Sequence, residues 1–223
     1  MKFEMHLHTA ENDPYVNVCA ADAVREYKKI GYDGIVFTDH FGKFIWKWRD
    51  GKNGLGTWEE KIERWLTAYR SAKKVGDEIG LKVFLGMELR FTKNINDYLI
   101  YGMDEEFIFS HPDLDLYSPE EFFKIKPEKM LVYQAHPFRE DMVVGSAENI
   151  FGVEVYNSGT PAPRNQMAEA FADIFSLRKI SGSDFHHISQ LAKGGVDFSC
   201  NIETYDDLLK ALKNNTYSLI TPN

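Results

Sequence analysis

Short β-branched or aromatic runs alternate along this chain with longer amphipathic segments, and that alternation constrains the fold more than any other feature. It is the pattern of βα units and a mostly parallel sheet. The strand runs are Lys2–His8, Gly34–Thr38, Leu81–Glu88, Tyr98–Gly102, Met130–Ala135, Val153–Tyr156 and Lys179–Gly182, with Phe107–Ser110 and Tyr217–Ile220 as weaker ones. Seven or so such units suit an α/β barrel. A chain of 223 residues, 43% of them hydrophobic, is long enough to bury one continuous core, so a single domain over residues 1–223 is expected.

The helices carry their own punctuation. Thr57 and Glu60 make a capping box ahead of Trp58, Ile62, Trp65, Leu66 and Tyr69 at helical spacing, and Gly80 ends that helix. Ser118-Pro119-Glu120-Glu121 supplies an N-cap, a proline at the first helical position and a carboxylate at the third. Residues 20–30, 164–177 and a helix opened by Thr204 and Asp207 complete the set. Phe41–Gly56 breaks the alternation with two tryptophans, four basic residues and four glycines. It reads either as a lid that brings Trp46 to a substrate, or as a surface excursion whose Trp46 and Trp48 tuck into the edge of the core.

With 26 basic and 34 acidic residues the chain has a formal charge of −8, which argues against an extended nucleic-acid surface or an anionic membrane as partner. Cys19 and Cys200 are far apart and outside any metal or disulfide pattern. The opening MKFEMHLHTA has no apolar run of the signal-peptide kind. A reduced, cytoplasmic setting is therefore expected. The oligomeric state is not legible.

Of seven histidines, six follow or end a strand run: His6, His8, His40, His111, His136 and His186. In an α/β barrel the C-terminal strand ends converge on one face, so these residues meet as one site. His6 and His8 flank Leu7 on a strand and project to the same side, a spacing that lets two nitrogens reach one cation. Carboxylates accompany them: Asp13, Asp39, Glu88 and Asp184. Imidazole with carboxylate favours two or three divalent transition metals, Zn, Mn or Fe, over Mg.

Through HLHT at His6–Thr9, FTDH at Phe37–His40, GMEL at Gly86–Leu89, AHPFR at Ala135–Arg139 and GSDFH at Gly182–His186, the sequence resembles the PHP (polymerase and histidinol phosphatase) domain family. EVYNSG at Glu154–Gly159 and SH at Ser110–His111 fit the same pattern. The resemblance implies a distorted (β/α)7 barrel and a metal-dependent phosphoesterase. It assigns a first metal to His6, His8, Glu88 and Asp184, a second to Glu88, His111 and His136, and a third to His40, His186 and Asp13, with Glu11 as the alternative to Asp13.

Three divalent cations against the charges of Asp13, Glu88 and Asp184 leave a local excess of about +3, which suits a phosphate dianion and a metal-activated hydroxide. The expected activity is hydrolysis of small-molecule phosphomonoesters. Asp184, or Asp39 from behind, would orient the water and the ligand imidazoles; for Asp39 a backbone-capping role stands beside this one. Arg139, three residues after His136, is the candidate phosphate clamp, and Arg164 is a further substrate contact. The competing readings are a nuclease or protein-tyrosine phosphatase on the same fold, an amidohydrolase-like C–N hydrolase, and a non-catalytic metal-stabilised module.

Overall fold

A computed structural model of the chain describes residues 1–49 and 56–222. In chain order the elements are β1 (Lys2–Glu4), α1 (Ala20–Lys29), β2 (Gly34–Phe37), β3 (His40–Phe41), α2 (Lys43–Arg49), α3 (Trp58–Ile79), β4 (Lys82–Arg90), β5 (Asp97–Tyr101), α4 (Glu105–Ser110), α5 (Pro119–Ile125), β6 (Leu131–Gln134), β7 (Gly152–Asn157), α6 (Ala162–Phe175), β8 (Arg178–Gly182), β9 (Val196–Phe198), α7 (Tyr205–Asn214) and β10 (Tyr217–Leu219). The strands form one ten-stranded sheet in the order β10-β9-β1-β2-β4-β5-β6-β7-β8, with β3 paired to β4. The sheet nearly closes on itself. Beyond β1 and β8 the chain continues until Leu7 bridges Phe185 in parallel, with Phe185 N donating to His6 O (3.2 Å) and His8 N to Phe185 O (3.1 Å).

This is the expected α/β barrel, but two strands, β5 and β9, depart from the parallel run. β5 runs antiparallel to both β4 and β6. The connection from β4 to β5, residues 91–96, is too short for a helical crossover, so the strand returns directly. The capping boxes at Thr57, Ser118 and Thr204 all form.

Phe107–Ser110 corrects the reading: it is helical, as part of α4, because the Asp104 side chain accepts from Phe107 N (2.9 Å) and caps a short helix there. β9 went unread because its three residues are too few for a period. It pairs antiparallel with β1 and β10.

A buried carboxylate explains why β1 ends where the site begins. Glu4 Oε1 accepts from the N–H groups of Met5 (3.0 Å), His6 (2.9 Å) and Ser183 (3.0 Å), while Oε2 accepts from Tyr27 Oη (2.7 Å). Burial pushes this carboxyl above its ordinary range, against the hydrogen bonds from Ser183, Tyr27 and His6. The side chain thus satisfies backbone donors that the ladder leaves over, and ties the chain leading to His6 to the chain leading to Asp184. Inside, Tyr101 of β5 donates to Met5 O (2.9 Å), and residues of β1, β5, β6, β8 and α7 share one buried cluster. No described helix is long and apolar enough to cross a membrane.

Candidate metal centre

The chain segments at one end of the strands bring their polar side chains together. His6 and His8 follow β1, His40 opens β3 in register with Glu88 of β4, His136 follows β6, and Asp184 and His186 follow β8. His6 Nε2 and His8 Nε2 lie 3.0 Å apart. Asp184 Oδ1 lies 3.5 Å and 3.1 Å from them, and Glu88 oxygens lie 3.3 Å from each. Glu88 reaches further, with Oε1 3.0 Å from His136 Nε2 and Oε2 2.6 Å from His40 Nδ1. Asp13 Oδ2 lies 3.2 Å from His40 Nε2 and 3.7 Å from His186 Nε2. Three overlapping donor groups result: His6, His8 and Asp184; His6, Glu88 and His136; His8, His40 and His186.

These donors fit a cation better than they fit one another. His40 Nδ1 and Glu88 Oε2, both among the converging atoms, are buried without a hydrogen-bond partner. Buried polar atoms in that state are costly unless something satisfies them. Nitrogen and carboxylate oxygen converging from several strands are the ligand types of Zn, Mn or Fe.

Several of these side chains are oriented from behind. Glu154 Oε1 lies 2.9 Å from His6 Nδ1, which turns Nε2 toward the cluster, and Glu154 Oε2 accepts from His136 N (3.0 Å) and Asn157 Nδ2 (2.9 Å). His186 Nδ1 donates to Asp184 O (2.8 Å), presenting its Nε2. His136 and Asp184 are non-glycine residues at φ 29° and 52°, a conformation that persists only where surrounding contacts hold it. Gly182 has to be glycine, since a Cβ there would stand 2.4 Å from His6 Cβ and 2.6 Å from Glu154 Oε1.

The electrostatics follow from that crowding. Burial opposes a charge on His6, but Glu154, Glu88 and Asp184 outweigh it and hold the imidazole well above its ordinary range. His40 is likewise pushed up to about 9, with Glu88 chiefly outweighing burial. His8 moves well below its ordinary range through burial and the charge on His40. Burial opposes ionisation of Glu88 and Asp184 as well, yet the charged histidines hold Glu88 down, and His6 with Arg139 holds Asp184 down. Without metal, therefore, protonated histidines supply the positive charge.

A folded-state value of about 9 for His40, above the ordinary 6.5, contributes stability that is complete below about pH 6.5 and lost as pH rises through 9. Metal ligation requires the neutral ring, so cations displace protons. The melting temperature of the metal-free protein should fall from pH 7 to 9 while that of the loaded protein holds. Calorimetry of metal addition near pH 7.5 in buffers of different ionisation enthalpy should register proton release. A flat metal-free profile together with no proton release would contradict a charged His40.

Four expected site residues stand elsewhere. His111 is not brought into the cluster: it caps the end of α4, with Nδ1 donating to Phe107 O (2.7 Å) and its ring against that of Phe107. The helix formed where a strand was expected is the cause. Asp39 turns away from the cluster, accepting from Thr9 N (2.7 Å), Thr9 Oγ1 and Asn12 Nδ2 (2.9 Å), and so holds the loop that carries Asp13. Burial pushes Asp39 up to about 7 against those hydrogen bonds. Trp46 is buried in the core against Phe41 and Trp58, because residues 43–49 coil into α2 and that face points inward. Lys52, from the same segment, lies outside the described residues. Arg164 sits in the first turn of α6 and, among the described residues, makes no hydrogen bond or ion pair with the cluster.

Arg139, by contrast, reaches the cluster, donating from Nη2 to Asn157 Oδ1 (2.9 Å) and to Asp184 Oδ2. Glu11 is committed elsewhere, accepting from Ala20 N, which leaves Asp13 beside His40. Sequence reading passed over Glu154 and Asn157, although both stand in the EVYNSG run, and Asp97, whose Oδ2 is 3.9 Å from His136 Nε2. It also missed Phe44, the α2 residue whose ring does face His40, at 5.0 Å.

The comparisons with known proteins bear on the fold. No curated protein matches the chain in sequence. A family model described as PHP-associated matches residues 162–217. The structure superposes with a TM-score of 0.69 on a two-domain protein from Bacteroides vulgatus described as containing a predicted PHP-like metal-dependent phosphoesterase. The chain has a PHP-type fold. Identity to the Bacteroides protein is 16%, over 99% of this chain and 64% of that one, so this PHP-type chain spans less than two thirds of its length. PsfC from Pseudomonas syringae has a TM-score of 0.70 at 16% identity, over 99% of this chain and 91% of its own. An amidohydrolase from Chromobacterium violaceum, described with bound sulfate and no metal, has a TM-score of 0.58 at 13% identity over 100% and 99%. The family resemblance carried by HLHT, FTDH, GMEL, AHPFR and GSDFH therefore rests on a PHP-type barrel that gathers most of those residues in one place.

Proposed function

We propose that this protein is a metal-dependent phosphoesterase that hydrolyses small phosphate monoesters at a trinuclear centre. One observation carries the reading: a guanidinium, Arg139, enters the rim of a buried histidine and carboxylate cluster and pairs with Asp184 there. A cation site that also presents an oriented guanidinium suits an anionic, multi-oxygen substrate better than an amide.

His6, His8, Glu88 and Asp184 would hold the first cation, Glu88 and His136 the second, and His40, His186 and Asp13 the third. Bound cations of this kind supply Lewis acidity and lower the pKa of a water from 15.7 toward about 7. The chain's own residues do the positioning. Asp184 stays ionised and keeps Oδ1 toward His8, where it orients the attacking water. Arg139 swings its second face to two phosphate oxygens while Asn157 holds its Nη2. Asp39 and Thr9 fix the loop of Asp13.

The test is a screen of phosphate monoesters, phosphodiesters and aryl amides with metal-reconstituted protein. Monoesters should be turned over fastest, and amide hydrolysis as the dominant activity would overturn the reading. Arg139→Ala should leave the metal content unchanged and lower kcat/KM on monoesters by about 10²–10³-fold, the scale of one preorganised charged donor. Unchanged kcat/KM in that variant would remove Arg139 from the phosphate site.

A further inference from the structure

The cleft beside the metal centre carries unpaired charge of both signs. It has a volume of about 610 Å³, and its lining includes Lys43, Phe44 and Lys47 of α2, Arg90 of β4, and Glu140 and Asp141 from the segment after Arg139. That volume is ordinary for a small-molecule pocket. Phe44 lies edge-on to His40 (5.0 Å between ring centres) with the Arg90 guanidinium over its ring at 5.5 Å. Arg90 in turn pairs with Asp97, which stands beside His136. Phe44 and Arg90 therefore set one wall of the cleft against the His40 and His136 side of the metal centre, and Arg90 is already neutralised.

The other four charges are not. Among the described residues Lys43 and Lys47 have no ion-pair or hydrogen-bonding side-chain partner, nor do Glu140 and Asp141, and no ion pair joins the two sets. Lys43 and Lys47 stand one helical turn apart on the exposed face of a seven-residue helix, an arrangement of like charges that is mildly destabilising on its own. Two cations on one element and two anions on another, both lining one cleft over an apolar ring, complement a ligand that has an anion, a cation and an apolar body.

We infer that this cleft receives the alcohol part of the substrate and that this part is an α-amino-acid zwitterion, so that the substrate is a free O-phosphoamino acid. The inference rests on the phosphoesterase reading above. The ester's phosphate occupies the metal centre, its side chain lies on Phe44, its carboxylate meets Lys43 and Lys47, and its ammonium meets Glu140 and Asp141. Hydrolysis forms one P–O bond from water and breaks the ester P–O bond. A water proton passes to the leaving oxygen, giving inorganic phosphate and the free hydroxyamino acid.

The experiment compares O-phospho-L-tyrosine with phosphorylated tyramine, which lacks the carboxylate, phosphorylated 3-(4-hydroxyphenyl)propanoate, which lacks the ammonium, and a peptide with an internal phosphotyrosine. Two partly exposed charge contacts at each end give an expected kcat/KM about tenfold higher for O-phospho-L-tyrosine than for either single-charge analogue. The double variant Lys43→Ala/Lys47→Ala should abolish only the discrimination against the tyramine ester. Glu140→Gln/Asp141→Asn should abolish only that against the propanoate ester.

A second readout needs no turnover. Calorimetry with the metal-free protein should show L-tyrosine binding tighter than tyramine or 3-(4-hydroxyphenyl)propanoate. Equal binding of the three, with equal hydrolysis of their esters, overturns the cleft assignment alone. Preferred binding of tyrosine with no hydrolysis of any ester overturns the phosphoesterase reading and the substrate with it. Faster hydrolysis of the phosphopeptide, which offers neither free charge, overturns the inference in favour of a protein phosphatase.

Discussion

Replacing Glu88 by Gln should, on the function proposed above, strip two of three metals at once and lower phosphatase activity by several orders of magnitude. This carboxylate approaches four imidazoles, His6 and His8 at 3.3 Å, His136 at 3.0 Å and His40 at 2.6 Å. Glutamine keeps the volume but removes the negative charge and most of the bridging capacity, so the first and second cation positions should weaken together. His40, His186 and Asp13 should still retain the third.

Elemental analysis of protein purified without chelator, alongside turnover of an aryl phosphate, reads both effects. The metal-free variant offers a separate readout. Glu88 is the chief reason His40 is pushed up to about 9, so the decline in stability from pH 7 to 9 should become smaller. Breaking a buried pair costs about 3–5 kcal/mol, so the variant should also melt at a lower temperature. Full metal occupancy with near-normal hydrolysis would show that Glu88 is not the bridge.

Glu154→Ala should be the most damaging change outside the ligand set. Glu154 is fully buried and accepts hydrogen bonds from His6 Nδ1, His136 N and Asn157 Nδ2. Three buried donors left without an acceptor cost about 1–3 kcal/mol each, so a loss of roughly 3 kcal/mol or more is expected in denaturant unfolding. Metal affinity should fall by about 10–100-fold, because His6 loses the contact that fixes its tautomer. Glu154→Gln, which keeps one acceptor oxygen, should recover part of the stability but less of the affinity. Wild-type unfolding and metal content in the alanine protein would mean that His6 is held by packing alone.

The histidine positions were legible because a parallel barrel imposes a rule that local sequence can express. Residues just past a strand lie on one face, and HLH, TDH, AHP and SDFH each announce their own strand end. The rule failed at His111, where Asp104 caps a helix in a run that has strand-like composition. It was silent about Asp97, whose strand runs antiparallel and so brings its first residue, not its last, to the site. Trp46 and Phe44 show the same limit on a smaller scale. Both stand in one aromatic segment, and only the coiling of α2 decides that Phe44 meets His40 while Trp46 enters the core.

What the sequence by itself determined is the class of fold, the caps of α3, α5 and α7, and the chemical kind of site, since these follow from local periodicity, local hydrogen bonding and side-chain type. What only the tertiary structure decided is which groups touch: Glu154 behind His6, Asp39 on the Thr9 loop rather than on a ligand, Arg139 on Asp184, and the charged cleft beside His40. These pairings span up to 148 residues of chain, as from His6 to Glu154. Such a contact leaves no period or motif in either partner, because burial and barrel closure, not sequence neighbours, bring the two together.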